Sequence, residues 1–356
     1  MISYYPLKIV TLRAKTEIIM AKKVLVTGAG GFIGGFIVEE ALRRGYETWA
    51  AVRSTTSRKY LSDPRIKFLE LDFSNEDNLR MQLAGAVEAN GKWDYIVHNL
   101  GATKCTNFSD FNTVNYVYLK GFVDILQDMK IVPEKFLLMS SLGAVGLGDE
   151  KNYTPFKPDM IPNPNTRYGV SKLKAETYLQ MQSGFPYIIF RCTGVYGPRE
   201  KDYFLMVKSI NKGFDFGVGY KKQLITFLYV KDLAAAVFDA FENGAQRKAN
   251  FLCEETPYTS EDFRKIVAAE LGKKHVIPIK APIWLTKIVC IIAEFWGKVV
   301  LKPSTLNTDK FNILKQRNWL CDTSEAKNDF GFTIKYPLKD GLKETVKWYK
   351  DNGWLK

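Results

Sequence analysis

The chain has 356 residues, 46% of them hydrophobic and 25% charged, and 51 Lys and Arg against 38 Asp and Glu give it a net charge of +13. That is enough apolar material for one large domain, or for one domain and a smaller lobe, and it is not the composition of a disordered chain. No stretch approaches the roughly 20 uninterrupted apolar residues of a membrane-spanning helix, and the five cysteines are scattered without metal-ligand spacing, so no metal centre is expected and reduced cytoplasmic thiols are.

Residues 1–20 carry Lys8, Arg13 and Lys15 but neither a long apolar run nor a small-residue cleavage site, so a secretory signal is not expected. They read as an extension without a packed role, and Met20 is a second candidate start. Val24–Thr27 is a short β-branched strand. Glycines follow, then an apolar-periodic helix over Phe32–Arg44 that Gly45 ends. Thr48–Val52 is the next strand. Short apolar runs at Ile66–Leu71, Tyr95–His98, Phe136–Met139 and Tyr187–Phe190 predict further strands, with helices notably at Val114–Met129 and Ser171–Met181. Such alternation predicts a doubly wound α/β fold with a parallel sheet. After Arg191 the alternation loosens. A helix at Leu233–Phe241 and a strand at Ala249–Leu252 rejoin the sheet, and from Pro257 the chain reads as a smaller lobe closed by a helix over Leu338–Lys350.

The first turn carries chemistry. Thr27–Gly34 places glycines at 28, 31 and 34 between a strand and a helix. Glycine permits the tight turn, then a close backbone approach to a pyrophosphate, then helix–strand packing. The phosphates would sit on free N–H groups at the positive end of the helix. No Gly-Lys-Ser/Thr follows, so this is not a P-loop. The pattern predicts a Rossmann-type dinucleotide domain over 21–192 and 229–252, with a substrate-binding lobe over 193–228 and 253–356. Gly28, Gly31, Phe32, Ile33 and Gly34 are the expected cofactor contacts. The second strand ends in Arg53 rather than an acid. An arginine there suits a 2′-phosphate, favouring NADP over NAD; the alternative is a solvated strand end. Asp72, after the third strand, is either an adenine contact or an ordinary turn aspartate.

Tyr168 and Lys172 lie four residues apart, on one helical face. A buried phenol beside a lysine and a cationic nicotinamide is expected to have a lowered pKa, suited to proton transfer. Ser140-Ser141 ends the fifth strand, at the carboxyl edge of the sheet. Asn115 lies in the helix before it. Together they offer a hydroxyl for a substrate oxygen, a phenol for its proton and a lysine for the cofactor ribose.

With Thr27–Gly34, His98–Gly101, Asn115, Ser140–Gly146, Tyr168–Lys172, Arg191–Pro198 and Tyr229–Ala234 in this order, the chain resembles the extended short-chain dehydrogenase/reductase family, also called the NAD-dependent epimerase/dehydratase family. The likeness runs from about Lys22 to the C-terminus. It implies Ser141 as catalytic hydroxyl, Tyr168 as general acid/base, Lys172 as ribose-binding lysine and Asn115 as the residue that holds the active-site helix in shape. It also implies a homodimer through the Val114–Met129 and Ser171–Met181 helices. Leu100 stands where the family usually has a small residue, so Leu100 and Gly101 would shape the cofactor's seat. Cys192 replaces a common proline, and Ala144-Val145-Gly146 replaces Val-Tyr-Gly.

Two reactions compete. One is net oxidoreduction of a ketone or secondary alcohol, as in hydroxysteroid dehydrogenase-like and dihydroflavonol reductase-like members. The other is nucleotide-sugar epimerisation on tightly bound NAD. A dehydratase is disfavoured because Ser141-Leu142-Gly143 lacks the acid used in elimination. A non-catalytic scaffold is disfavoured because Tyr168 and Lys172 are both present. Lys104, Tyr196 and Arg199, with Ser141, are the candidate substrate contacts. Lys104 and Arg199 could hold an anionic diphosphate, which keeps the sugar reading open, or be ordinary loop charges.

From Leu271 to the end there are sixteen Lys and Arg against eight Asp and Glu. The lysines are spread along helices and form no compact nucleic-acid patch, so a small molecule and no nucleic acid is the expected partner. Residues 282–300 read as a helix with Lys287, Glu294 and Lys298 on a narrow face and a wide apolar remainder. That remainder packs on its own lobe, walls an apolar substrate pocket, or makes a weak membrane-surface contact.

Overall fold

The computed structural model describes residues 21–300, 304 and 306–355. The extension expected over residues 1–20 lies outside them. Strand β1 (Lys23–Thr27) passes through the glycine turn into helix α1 (Phe32–Arg43), and β2 (Glu47–Val52), β3 (Lys67–Glu70), α2 (Glu76–Asn90) and β4 (Tyr95–His98) follow. The next helix has three parts: α3 (Ser109–Asn112), a π-helical turn over Thr113–Val117, and α4 (Tyr118–Asp128). Then come β5 (Lys135–Ser141), α5 (Arg167–Met181), β6 (Tyr187–Cys192), β7 (Gly194–Tyr196), α6 (Asp202–Asn211), β8 (Phe214–Val218), β9 (Leu224–Ile225) and β10 (Phe227–Tyr229). The rest is α7 (Val230–Asn243), β11 (Lys248–Leu252), α8 (Ser260–Glu270), β12 (Ile277–Ala281), α9 (Ile283–Val299), α10 (Thr308–Lys315), β13 (Asn318–Trp319), α11 (Ser324–Phe330) and α12 (Leu338–Asp351).

Seven strands form one sheet in the order β3-β2-β1-β4-β5-β6-β11, and every pairing in it is parallel. Side chains alternate across it. Val24, Val26, Val97 and Leu137 pack under α1 and α7 on one face. Leu25, Ile96, Phe136 and Leu138 pack under α2, α4 and α5 on the other. The fold is therefore the doubly wound α/β sheet that the alternating pattern predicts. Strand order reverses between β1 and β4, and the carboxyl ends of strands at such a point form a ligand crevice.

The later elements build a separate core around Tyr196, Phe227, Tyr229, Phe263, Leu338 and Val346. Helix α11 instead sends Ala326 and Phe330 into the α1–α7 core of the main sheet. Two of the scattered cysteines meet in the interior, the Cys253 and Cys321 sulfurs lying 2.8 Å apart. None of the helices among the described residues is long and apolar enough to cross a membrane. The 282–300 segment does form a helix, but its apolar face does not pack on its own lobe. Its buried residues are Thr286, Cys290 and Gly297, while Trp284, Ile292 and Phe295 are exposed.

Candidate active site

The glycine turn is shaped by backbone contacts. Gly28 sits at φ +65°, and a Cβ there would lie 2.7 Å from the Asn99 carbonyl oxygen of the β4 edge. A Cβ on Gly34 would collide with the Gly28 carbonyl. These two positions need glycine because β1, α1 and the β4 edge meet without room for a side chain. Gly31 differs: a Cβ there would meet only the Gly28 oxygen, at 3.2 Å. It is the N-cap of α1, and no side chain caps that end. Among the described residues, the N–H groups of the first turn, at Phe32 and Ile33, thus have no side-chain partner. That arrangement fits a pyrophosphate.

Around this turn, the Leu100 N–H donates to Thr27 Oγ1 at 3.2 Å, which seats the β4 edge against it. Arg53 is exposed just beyond β2, and among the described residues no carboxylate pairs with it. Its backbone N–H donates to Thr56 Oγ1. Asp72 behaves as a turn residue: its Oδ1 accepts from the Ser74 N–H at 3.0 Å and the Ser74 hydroxyl at 2.5 Å. The Ser74 hydroxyl holds its carboxyl below the usual range.

The catalytic candidates meet at the carboxyl edge of β5. Ser140 and Ser141 are adjacent strand residues and so face opposite ways. Ser140 turns inward and donates to the buried Glu176 carboxylate. Ser141 turns toward Tyr168: its Oγ accepts from the Gly143 N–H at 3.1 Å, and its hydroxyl is near enough to the phenol to favour its charged form. Helix α5 is capped by Thr166, whose hydroxyl accepts from the Gly169 N–H at 2.9 Å. Lys172 is one turn on from Tyr168, buried, with Nζ donating to the Met139 carbonyl at 2.9 Å.

Burial pushes the Tyr168 phenol up to about 12, with the Ser141 hydroxyl working the other way. Burial also pulls the Lys172 ammonium down to about 8, against the pull of Glu176. The lowered phenol expected from the sequence is thus reversed in the chain alone. Desolvation is the largest influence, and the lysine ammonium is committed to a main-chain carbonyl rather than to the phenol.

Asn115 lies in the π-helical turn, where one extra residue per turn alters the helix. Its Oδ1 accepts from the Ala102 N–H at 2.8 Å, and its Nδ2 donates to the Ala102 oxygen at 3.0 Å and to Ser171 Oγ at 2.9 Å. Ser171 Oγ in turn donates to the Tyr168 carbonyl at 2.7 Å. One amide therefore ties the loop after β4 to the first turn of α5. Gly101 lies inside this clamp; a Cβ there would come within 3.0 Å of Lys172 Nζ.

The three further substrate candidates do not join this group. Tyr196 is buried in the aromatic core against Tyr229, its hydroxyl 3.5 Å from the Leu338 carbonyl. The ring is buried among these neighbours and is not brought to the Ser141–Tyr168 group. Lys104 is ion-paired with Asp202. Arg199 donates to Glu39 at 2.7 Å and stacks over Phe36 and Tyr60, so both cations are already engaged.

Sequence reasoning missed two features. The Arg191 guanidinium donates to Glu176 at 2.7 and 3.0 Å in the interior, a pair that fixes α5 on the sheet. Asp309 of α10 accepts from the Tyr168 N–H at 3.1 Å. Glu176 falls at helical spacing from Lys172 and was findable. Asp309 comes from a distant part of the chain and carries no local signal.

The family described as the NAD dependent epimerase/dehydratase family matches residues 24–251. A sterol-4-alpha-carboxylate 3-dehydrogenase, decarboxylating, of Dictyostelium discoideum is 26% identical, over 91% of this chain and 99% of its own. A UDP-glucose 4-epimerase of Vibrio cholerae is 24% identical, over 92% of this chain and 95% of its own. The crystal structure of UDP-glucose 4-epimerase with UDP-glucose from Thermotoga maritima superposes with a TM-score of 0.73 at 20% identity, covering 93% of this chain and 99% of that one. With the family match spanning well over half of the sequence and the whole β1–β11 sheet, the protein is an enzyme of the NAD dependent epimerase/dehydratase family.

Proposed function

We propose that this enzyme moves a hydride between NAD(P) and a substrate ketone or secondary alcohol, with Tyr168 as general acid/base. The observation that carries the reading is the grouping of Ser141, Tyr168 and buried Lys172 at the β5 edge, beside an uncapped glycine turn. A bound nicotinamide supplies or accepts the hydride. Tyr168 gives its phenolic proton to the carbonyl oxygen as that oxygen gains charge, and takes it back in the reverse direction. Ser141 Oγ donates to the same oxygen. Lys172 holds the cofactor ribose, and its charge favours the phenolate left behind. Asn115 keeps the Ala102 loop and α5 in register. Gly28, Gly31, Phe32, Ile33 and Gly34 cradle the pyrophosphate, with Leu100 and Gly101 beside the nicotinamide half. Arg53 takes a 2′-phosphate, which favours NADP over NAD.

Net oxidoreduction is preferred to sugar epimerisation because Lys104 and Arg199, the cations available for a diphosphate, are paired with Asp202 and Glu39. The sterol dehydrogenase relative supports the same choice. One observation favours the epimerase reading: among the described residues, Arg199 Nε and Nη1 are buried without partners. A ligand phosphate would satisfy them. We place the enzyme in the cytoplasm, where its five free thiols remain reduced, as a homodimer through α4 and α5.

The test offers the pure enzyme NADPH or NADH with apolar ketones and, separately, with nucleotide sugars, and follows reduced cofactor and products together. Cofactor consumed in step with ketone reduced supports the oxidoreductase. A nucleotide sugar that changes configuration with the cofactor total constant overturns it in favour of an epimerase.

A further inference from the structure

Helix α9 reverses the usual arrangement of a surface helix. Its inner face is Thr286, Cys290, Glu294 and Gly297, spaced to line one side and all small or polar. Glu294 accepts from the Thr308 N–H at 3.0 Å and the Thr308 hydroxyl at 2.7 Å. Lys298 pairs with Glu294 and lies over the Phe108 ring. The outer face carries the bulk: Trp284, Ile288, Ile291, Ile292, Phe295 and Trp296, each between 46% and 65% exposed. Ten apolar side chains of this helix are exposed. At the size of such side chains that is on the order of 1,000 Å² of apolar surface, beyond the few hundred usual on a soluble monomer.

Charge says what covers this face. Residues 271–300 contain Lys273, Lys274, Lys280, Lys287 and Lys298 and a single acid, Glu294. All five lysines are exposed, whereas Glu294 is turned inward onto Thr308. A second copy of the chain seated on the same face would bring like charges together. Residues 1–20 are themselves basic, with Lys8, Arg13 and Lys15 against Glu17, and are no better matched. A negatively charged lipid surface matches both the apolar face and the lysines. Trp284 and Trp296 stand near the two ends of the helix, and indole rings favour the headgroup level. The 17 residues of α9 make a rod of about 25 Å, which suits a helix lying in the interface plane.

We propose that α9 docks this enzyme on the surface of an anionic lipid membrane, its Trp284–Trp296 face among the headgroups and Lys280 and Lys287 on lipid phosphates and carboxylates. The groove walled by Phe108, Arg167, Thr308 and Asp309 opens beside the inner edge of this helix. Docking itself needs nothing from the hydride-transfer reading and stands or falls separately.

The experiment is cosedimentation of the full chain with phosphatidylcholine vesicles and with phosphatidylcholine–phosphatidylserine vesicles, with tryptophan emission and its quenching by brominated lipid as a second readout. Expected are pelleting and a blue-shifted, quenched emission on the phosphatidylserine vesicles and much less on phosphatidylcholine alone. The double variant Ile288→Asp/Ile292→Asp, altered only at exposed positions, is expected to lose vesicle binding by about tenfold or more while keeping its thermal midpoint and cofactor binding. Lys280→Glu/Lys287→Glu is expected to weaken binding to phosphatidylserine vesicles selectively. The proposal is overturned if neither vesicle pellets the chain, if both do equally, or if the Asp variant binds as before. It is also overturned if the lipid-free chain is a dimer that the Asp variant splits, or if vesicle binding appears only after residues 1–20 are removed.

Discussion

The backbone N–H of Tyr168 donates to the Asp309 carboxylate across 3.1 Å, although the two residues are 141 positions apart. Helix α10 thereby caps the first turn of the helix that carries the phenol, alongside the Thr166 hydroxyl on Gly169. Asp309 touches no expected reacting atom and is a positioning residue. We expect Asp309→Ala to cost roughly 1–2 kcal/mol of stability, as loss of a helix cap does, and to lower kcat about tenfold through misplacement of the phenol. Asp309→Asn retains an acceptor oxygen and should recover most of kcat. Unchanged cofactor affinity in both variants, measured by fluorescence titration, separates this role from a defect in the glycine turn. Equal kcat in wild type and Asp309→Ala would remove it.

The pH dependence follows from the desolvation of Lys172 and Tyr168. Lys172 is pulled down to about 8 by desolvation, and Tyr168 is pushed up to about 12. From neutral pH upward the first change is loss of the lysine's proton, while the phenol keeps its own. Carbonyl reduction needs the ammonium on the cofactor ribose and the proton on the phenol. We therefore expect kcat/KM for reduction to be flat below about 8 and to fall above it. Lys172→Arg keeps its charge throughout and should lose that fall, whatever its absolute rate. For stability the sign is also fixed: a lysine with a lowered folded pKa binds fewer protons folded than unfolded, so its contribution improves as pH rises from about 8 toward its ordinary value. A thermal midpoint that drops over that interval in wild type relative to Lys172→Met would contradict this.

Much of the site was legible because its parts are local. The 28, 31 and 34 glycines, the strand before them and the helix after them lie in one short stretch, and the structure gives Gly28 and Gly34 a backbone reason. Tyr168 and Lys172 share a helix turn. Alternation along β5 separates Ser140 from Ser141; the family resemblance picks Ser141 as the hydroxyl, and Ser140 turns to Glu176 instead. Long-range pairings left no such trace: Asp309 on Tyr168, and Lys104 and Arg199 neutralised by Asp202 and Glu39. Tyr196 misled for the opposite reason. It was a candidate substrate contact, while the aromatic core of β7, β10 and α12 holds its ring. For 282–300 the apolar period was plain, but its direction was set by Glu294 reaching Thr308, which turns the polar face inward.

Arg53 gives the cofactor choice a direct test. It is exposed at the end of β2 with its backbone fixed by Thr56, and a 2′-phosphate would meet it without displacing a protein partner. Arg53→Ser is expected to raise KM for NADPH by about tenfold, the worth of one charge-assisted contact, and to leave KM for NADH nearly unchanged. A variant that loses both equally would mean that Arg53 serves the turn rather than the phosphate.

The buried pair of Glu176 and Arg191 joins stability to the pH edge. Glu176 accepts from the Arg191 guanidinium at 2.7 and 3.0 Å and from the Ser140 hydroxyl, with both charged side chains shielded from water. Removing one partner leaves the other charge unpaired in the interior, at a cost of roughly 3–5 kcal/mol. Glu176→Gln should therefore lower the unfolding free energy strongly, while Glu176→Leu/Arg191→Met, which removes both charges, should cost less than either single change. Glu176 also raises the Lys172 pKa against burial. Its neutralisation therefore removes the largest influence opposing desolvation, and the ammonium gives up its proton at lower pH. In any Glu176→Gln protein that folds, the fall in kcat/KM should begin below the wild-type edge near 8. A merely structural pair would change the midpoint of unfolding and leave that edge where it was, so urea titration and a pH–rate profile on one preparation distinguish the two roles.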